Sequence, residues 1–294
     1  MKLSEIKNQF KIDMIETTRG CPEACLHCGA YQGFDINQLT VQCVESPILK
    51  EYFLRYHKKN NLRTIDLFNK YVTTYVNTEP LCATNFINFT KLVFELSRGR
   101  SQVIALSHGL MMNNQDMRNK LEKIIDLMRA GVIPLFVLTV DSARMRGKIP
   151  TQINKDCYLE TLQLLRNALP YGRITVSLQG SLDSGSPLWI GKTQKMFVEI
   201  LKLLKLSPEE SKQLVIDNRS YTNIGRSKNF LNLTTSDDCD VIPDPEFIKK
   251  QLPNNYEWRG MLRFDGSLLV QKNRPGMTYG DSVTPNLWQE VECD

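Results

Sequence analysis

The sequence of 294 residues lacks the features that direct a protein into a membrane or out of the cell. Its first segment, MKLSEIKNQFK, has no apolar run of the kind that a secretory signal peptide requires. The longest strongly apolar stretch lies near Val132–Val140. That stretch is much shorter than the roughly 20 residues that cross a bilayer. We therefore expect a cytoplasmic protein without a membrane partner, in which thiols stay reduced.

The sequence also lacks a large excess of charge of either sign. Lys and Arg number 37 and Asp and Glu 32, and the small excess is spread along the chain without a basic block. Proteins that bind nucleic acid usually concentrate positive charge on one face or along one helix. We therefore predict no nucleic-acid partner. Solenoid-type repeats and low-complexity tracts are absent from the sequence as well, so an ordinary globular fold is expected.

What the sequence does contain is an alternation of β-rich and helix-period segments. The predicted strands are Lys11–Thr17, Lys70–Asn77, Ser101–His108, Val132–Val140, Gly172–Gln179 and Lys212–Asn218. A first helix is predicted at Pro47–Lys58, and apolar stripes predict others within 86–96, 117–128, 162–169 and 196–204. Six β/α units in order imply an α/β fold with a parallel sheet. Periodicity alone allows an open barrel or a doubly wound sheet.

The pattern changes after about Asn229. A polar, proline-bearing segment (TTSDDCDVIPDPE) is followed by MLRFDGSLLVQ, which predicts a β-hairpin about Asp265–Gly266. We therefore predict two domains, an α/β domain over residues 1–229 and a small α+β extension over residues 230–294.

Three of the eight cysteines, Cys21, Cys25 and Cys28, lie close together behind the first predicted strand, in TRGCPEACLHCGA. Three interpretations are open. In the first, the cysteines are buried in the core and share no function, which fits poorly because the residues that flank them are polar. Structural zinc requires four ligands, and the fourth would have to be His27 or a distant residue. Thiolates also hold iron–sulfur clusters, and three cysteines on a four-iron cluster leave one iron open to a small molecule.

The spacing Cys-x3-Cys-x2-Cys after a first strand, with the aromatic His27 before the last cysteine, resembles the signature of the radical SAM superfamily. The segment Tyr75–Pro80 (YVNTEP) resembles the Gly-Gly-Glu-Pro motif of that superfamily, with Asn77 and Thr78 in place of the glycines. The resemblance implies a partial (β/α)6 TIM-like barrel. It also implies a [4Fe-4S] cluster on the three cysteines and S-adenosyl-L-methionine beside it.

Several polar residues are then candidates to touch the cofactor. The resemblance places the amino group of S-adenosylmethionine at the Glu-Pro motif and the adenine near the aromatic residue of the cysteine motif. Polar residues at strand ends, which include His108, Asp141 and Asn218, can contact cofactor or substrate, and a structural hydrogen bond is the alternative for each. The residues expected to bind the cofactor are His27, Asn77, Thr78, Glu79, Pro80, Ser142, Gln179 and Asn223.

Weaker similarities extend to the rest of the chain. LTVDSARMRG (Leu138–Gly147) and TNIGRSKN (Thr222–Asn229) resemble segments of peptide-modifying members of the superfamily. The C-terminal region resembles the SPASM or twitch extension of those enzymes. Gln271 stands where a cysteine of that extension would be expected, so the resemblance implies an extension without an auxiliary cluster.

The resemblance implies an enzyme that reductively cleaves S-adenosylmethionine and modifies a ribosomally synthesised precursor peptide by hydrogen abstraction. The reaction would be epimerisation, crosslinking or splicease-type backbone excision. The expected partners are the precursor peptide, a reductase or flavodoxin-type electron donor and, because little chain precedes the first predicted strand, a separate leader-peptide recognition protein.

Cys82, just past the Glu-Pro motif, is the candidate hydrogen donor, followed by Cys43, Cys157 and Cys239. The alternative for each of these cysteines is a small buried apolar side chain. Two other functions stay open at this stage. One is a radical SAM enzyme that acts on a small molecule in antibiotic or cofactor biosynthesis, and the other is a non-catalytic metal-binding interaction protein.

Overall fold

The computed structural model describes residues 2, 5–6, 10–15, 18–19, 42–43, 67–74, 79–83, 86–109, 115–142, 151–180, 189–220, 257–262, 267–272 and 288–292. These residues form two compact units, and each is described by itself. The described residues of Met1–Gly20, Thr40–Ile104 and Val241–Asp294 make the first unit, and those of Ala105–Asp240 make the second.

Strands and helices alternate over most of the described chain. In chain order the strands are β1 (Phe10–Ile15), β2 (Thr18–Arg19), β3 (Gln42–Cys43), β4 (Phe68–Thr73), β5 (Gln102–Ser107), β6 (Leu135–Val140), β7 (Arg173–Gly180), β8 (Leu214–Ser220), β9 (Trp258–Leu262), β10 (Leu268–Lys272) and β11 (Gln289–Glu290). The helices are α1 (Phe86–Leu96), α2 (Gln115–Arg129), α3 (Thr151–Leu165), α4 (Ile190–Leu204) and α5 (Pro208–Gln213), with 3-10 turns at Pro80–Cys82 and Arg166–Ala168.

In the first unit, β1 lies between two parallel partners. On one side it pairs with β4, with Ile12 opposite Phe68. On the other side it pairs with β9, from Phe10 opposite Trp258 onward. Strands β10 and β11 extend the sheet beyond β9 in antiparallel fashion, and β5 pairs with β4 through its first half. Residues from the two ends of the chain therefore share one sheet.

The antiparallel pair of β9 and β10, with Leu262 opposite Leu268, confirms the predicted C-terminal hairpin. Its predicted turn, Asp265–Gly266, lies outside the described residues. The predicted boundary between residues 229 and 230 lies outside them too, so the division into a 1–229 domain and a 230–294 extension stays a prediction.

In the second unit, all the strands that the structure describes are parallel. The second half of β5 pairs with β6, β6 with β7 and β7 with β8. All six residues of β6 are buried, which is the pattern of a strand covered on both faces. The predicted α/β fold class with a largely parallel sheet is confirmed, and the partial barrel stays a prediction.

The helices bury the apolar stripes from which they were predicted. Phe86, Phe89 and Val93 of α1 are fully buried. In α2, every residue of the predicted stripe is buried, namely Met117, Leu121, Ile124, Ile125 and Met128. The helix predicted within 196–204 is confirmed, and of its last two leucines Leu204 is buried whereas Leu203 is 54% exposed.

The start of the sixth predicted strand is corrected. Lys212 and Gln213 belong to α5, and the strand begins at Leu214. The reason is a capping box, in which the Ser207 hydroxyl accepts from the Glu210 amide and the Glu210 carboxylate accepts from the Ser207 amide. Pro208 at the first helical position favours the same start. The helix predicted at 47–58 lies outside the described residues.

In the described part of the chain, not one of the helices combines the length and the apolar character that a bilayer crossing requires.

Candidate functional site

Many of the residues predicted from the cysteine motif and its cofactor lie outside the described residues. These are Cys21, Cys25, His27, Cys28, Asn77, Thr78, Asn223 and Cys239. Their roles therefore stay predictions. In the described part of the chain, no group of three or more His, Cys, Asp or Glu side chains is placed to hold a metal ion. Glu79, Pro80 and Cys82 lie in the first unit, and Ser142 and Gln179 lie in the second.

Glu79 is a buried carboxylate at the start of the 3-10 turn that follows β4. It is 2% exposed, and its Oε1 accepts a hydrogen bond from the Leu81 amide at 3.2 Å. Pro80 occupies the first position of the turn and is buried, and the amide of Cys82 donates to the Glu79 carbonyl at 2.9 Å. A carboxylate accepts more than one hydrogen bond. The turn therefore fixes the orientation of a buried acceptor that suits an amine or another strong donor.

In the first unit, side-chain hydrogen bonds tie β4 to both of its neighbouring strands, β1 and β5. The Thr73 hydroxyl at the end of β4 donates to the Asp13 carbonyl of β1 at 3.3 Å. The Thr74 hydroxyl donates to the Ile104 carbonyl of β5 at 3.3 Å. Because β1 and β4 are parallel neighbours, their carboxyl ends lie at the same edge of the sheet. In the sequence, the cysteine motif follows β1 and Glu79 follows β4.

A buried ion pair that the sequence did not predict joins β1 to β9. Nε of Arg259 lies 2.6 Å from Oδ2 of Asp13, and the two side chains are 9% and 4% exposed. Burial raises the pKa of the Asp13 carboxyl, and the charge and the hydrogen bond of Arg259 offset this only in part. Oδ1 of Asp13 has no hydrogen-bond partner among the described residues. The sequence signal of this pair was an acidic residue, Asp13, flanked by Ile12 and Met14 within the strand FKIDMI.

In the second unit, Thr193 connects the ends of β6 and β7. Its hydroxyl oxygen lies 2.9 Å from the Gln179 carbonyl and 3.1 Å from the Ser142 hydroxyl. It also accepts a hydrogen bond from the Ser142 amide at 3.1 Å. Thr193 is fully buried and Ser142 is 7% exposed. The structure therefore brings Ser142 and Gln179, two of the predicted cofactor residues, together through a threonine that sequence analysis missed.

The residue before Ser142 is fixed by the neighbouring helix. Asp141 is fully buried, and its amide donates to the hydroxyl of Tyr158 on α3 at 3.1 Å. Tyr158 is itself fully buried. The backbone that carries the polar end of β6 is thus held by side chains from two helices, α3 and α4.

The end of β5 is held in a similar way around His108, which is 5% exposed. The amide of Gly109 donates to the Ser107 hydroxyl at 3.0 Å. The Thr161 hydroxyl of α3 lies 3.0 Å from the Gly109 carbonyl and 2.8 Å from the Cys157 carbonyl of its own helix. Gly109 has a φ of +67°, and a Cβ at this position would lie 2.7 Å from Cδ1 of Leu138. Glycine is therefore required here both by the backbone conformation and by the packing.

The other candidates have separate surroundings. Asn218 is exposed and accepts a hydrogen bond from Gln194 at 3.2 Å, so it belongs to the surface of α4 and β8. The thiol of Cys82 is half-buried, whereas that of Cys157 is buried within α3. Gln271, at the position where a cysteine was expected, is buried on β10. The proposed role of Cys82 or Cys157 as a hydrogen donor stays a prediction, and the side chain of Cys43 lies outside the described set.

Comparison with known proteins gives distant similarities. No protein-family model matches the chain, and no curated protein matches it either. Among solved structures, BtrN in complex with AdoMet and 2-DOIA aligns over 92% of this chain and 81% of its own, with 12% identity and a TM-score of 0.40. TYW1 with a lysine-pyruvate adduct bound aligns over 87% and 78%, with 13% identity and a TM-score of 0.41. An archaeal TYW1 aligns over 73% and 60%, with 15% identity and a TM-score of 0.33. Similarities this distant do not assign the chain to a family.

Proposed function

We propose that this protein is a radical SAM enzyme, which binds a [4Fe-4S] cluster and S-adenosylmethionine and cleaves the latter reductively. The observation that carries the proposal is a coincidence of motif and topology. The Cys-x3-Cys-x2-Cys motif and the Glu79–Pro80 pair follow two strands that are parallel neighbours in the same sheet. In parallel α/β folds, active-site groups gather at the carboxyl ends of the strands.

The residues present fit both groups chemically. Three thiolates, Cys21, Cys25 and Cys28, are the ligand type that iron–sulfur clusters take. The buried carboxylate of Glu79 is fixed by its own turn and suits the amino group of an amino acid. When bound, the cluster and S-adenosylmethionine would supply one-electron cleavage chemistry and a strong hydrogen-abstracting species, which no protein side chain provides.

The chain's own residues would bind the cofactor, orient it and exclude water from it. Glu79 would accept a hydrogen bond from the cofactor amine, at 2% exposure, where such a bond is stronger than in water. Ser142 and Gln179 are polar residues at neighbouring strand ends and would contribute further hydrogen bonds. The hydrogen bonds of Thr73 and Thr74 hold the strands β1, β4 and β5 in place while the cofactor binds.

The substrate in this proposal is a ribosomally synthesised precursor peptide. Its support is the resemblance of the segments Leu138–Gly147 and Thr222–Asn229 and of the C-terminal region to peptide-modifying enzymes. A leader-peptide recognition protein and a flavodoxin-type donor would be the partners. If substrate binding stimulates the cleavage of S-adenosylmethionine, a precursor peptide will accelerate it; stimulation by a small amine or sugar instead would favour the small-molecule enzyme.

The test of the cleavage activity starts from anaerobic reconstitution with iron and sulfide. After reduction with dithionite and addition of S-adenosylmethionine, 5′-deoxyadenosine is quantified by chromatography. We expect product from the wild type and none above the blank from Cys25→Ala. Cys293→Ala, which removes a thiol that belongs neither to the motif nor to the candidate hydrogen donors, is the matched control and should retain the activity. No product from a wild-type protein that has bound about four irons per chain would contradict the proposal.

A further inference from the structure

The hydroxyl of Thr193 makes more contacts than one hydroxyl can donate. It lies within hydrogen-bond distance of the Gln179 carbonyl, the Ser142 hydroxyl and the Ser142 amide. A hydroxyl has one hydrogen and two lone pairs. Three hydrogen bonds therefore use its full capacity, and the chemistry of each partner decides whether Thr193 is the donor or the acceptor.

The directions follow from the chemistry of the partners. The Gln179 carbonyl only accepts, so the single hydrogen of Thr193 goes to it at 2.9 Å. The Ser142 amide only donates, so it uses one lone pair of Thr193. The remaining bond, between the two hydroxyls at 3.1 Å, then takes its hydrogen from Ser142. The Ser142 hydroxyl keeps two lone pairs and no hydrogen for anything else.

We propose that Thr193 is a positioning residue that holds Ser142 against the end of β7 and presents its hydroxyl as a pure hydrogen-bond acceptor. The group that Ser142 selects is then a donor, a hydroxyl or an ammonium group, and not a carboxylate. The proposal rests on the function proposed above, because the donor is taken to belong to bound S-adenosylmethionine. Thr193 itself is fully buried and acts on the ligand through the hydroxyl of Ser142.

Three variants separate this role from a general packing role. Thr193→Val keeps the volume and removes the hydroxyl, whereas Thr193→Ser keeps the hydroxyl and removes a methyl group. Thr175→Val is the matched control. Thr175 lies on β7, is fully buried, and its hydroxyl has no hydrogen-bond partner within the described residues. Loss of that hydroxyl should change neither backbone protection nor ligand binding.

The first readout needs no ligand. Hydrogen–deuterium exchange of the segment that contains Ser142 should be faster by about tenfold in Thr193→Val than in the wild type, because the Ser142 amide loses its acceptor. Thr193→Ser and Thr175→Val should exchange like the wild type. Unchanged exchange in Thr193→Val would overturn the structural part of the proposal, whatever the protein binds.

The second readout is the affinity of the reconstituted protein for S-adenosylmethionine, measured by anaerobic calorimetry. Thr193→Val should raise the dissociation constant by about tenfold, and Thr193→Ser should stay within about twofold of the wild type. In a Ser142→Ala background, Thr193→Val should cause no further loss, because both changes act through the same hydroxyl. Wild-type affinity in Thr193→Val would overturn the role in binding.

The outcomes also distinguish this proposal from the proposed function. If the reconstituted wild type does not bind S-adenosylmethionine, the function fails and the role of Thr193 toward that ligand fails with it. The exchange experiment then still decides whether Thr193 fixes Ser142. If the wild type binds and Thr193→Val binds equally well, the function stands and only this proposal is overturned. Should Thr193→Val not fold, Thr193→Ser against Thr193→Ala gives the same comparison.

Discussion

The two units hold neighbouring elements together by different chemistry. In the first unit a buried charged pair, Asp13 and Arg259, joins strands whose residues are 246 positions apart in the sequence. In the second unit the neutral hydroxyls of Thr161 and Thr193 join helices to strand ends nearby. A buried ion pair costs desolvation and loses most when one partner is removed. Neutral hydrogen bonds involve no buried charge. Their contribution to stability should therefore fall when a partner is removed but should not change with pH.

The largest effect should come from breaking the charged pair. Arg259→Met leaves the Asp13 carboxyl buried without its partner, and the free energy of unfolding should fall by about 3–5 kcal/mol. The measurement is urea denaturation followed by circular dichroism. Arg129→Met, which breaks the surface pair of Arg129 with Asp126, is the matched control and should cost about 1 kcal/mol or less. A loss in Arg259→Met no larger than that of the control would show that the pair does not hold β9 to β1.

A smaller effect is expected at the turn that ends β5 in the second unit. Gly109→Ala must adopt a positive φ and bring a Cβ to 2.7 Å from Leu138, so we expect a loss of about 2–4 kcal/mol. Gly131→Ala shares the positive φ of +70° but meets nothing within 4 Å. It should cost only about 1 kcal/mol, because only the backbone conformation is unfavourable there. Equal losses in the two variants would mean that the packing around Gly109 gives way.

The smallest effect that we expect is a difference between the two units in how their contribution to stability depends on pH. The pKa of Asp13 is raised above its ordinary value of 3.8, so the folded state binds this proton more tightly than the unfolded state does. The resulting stabilisation is fully present below pH 3.8 and is lost as the pH rises through the raised pKa. We therefore expect the melting temperature of the wild type, relative to Asp13→Asn, to fall as the pH rises over that window.

The same titration compares the two units directly. The difference in melting temperature between the wild type and Thr193→Val should stay constant over this pH range, because the bonds of Thr193 are neutral. A wild-type advantage over Asp13→Asn that grows with pH would contradict the assignment of a raised pKa to Asp13.

The elements that could be predicted from the sequence are those that depend on local periodicity. The buried stripe of α2 and the buried strand β6 follow from apolar spacing within one element. The start of β8 was missed although its signal was present. Ser207 and Glu210 form a capping box around Pro208, and the β-rich segment after them obscured it. Local rules thus account for most of the elements, and their errors lie at the boundaries.

Contacts between distant residues could not be predicted in the same way. Arg259 follows a long polar segment, and its pairing with Asp13 depends on β9 adding to β1 in parallel. Thr193 precedes the apolar stripe at 196–204 from which α4 was predicted, and its contacts depend on which strand ends reach the first turn of that helix. The chemistry of Ser142 and Gln179 was suggested by their positions after strands, but the residue that brings them together was not.

The central claim is that a [4Fe-4S] cluster on Cys21, Cys25 and Cys28 binds S-adenosylmethionine, and the most direct test is electron paramagnetic resonance. The reduced, reconstituted protein is measured before and after addition of S-adenosylmethionine, with Cys25→Ala beside it. We predict a cluster signal in the wild type whose g-values change on addition, and no such change in the variant. A signal that S-adenosylmethionine leaves unaltered, in protein with about four irons per chain, would contradict the claim.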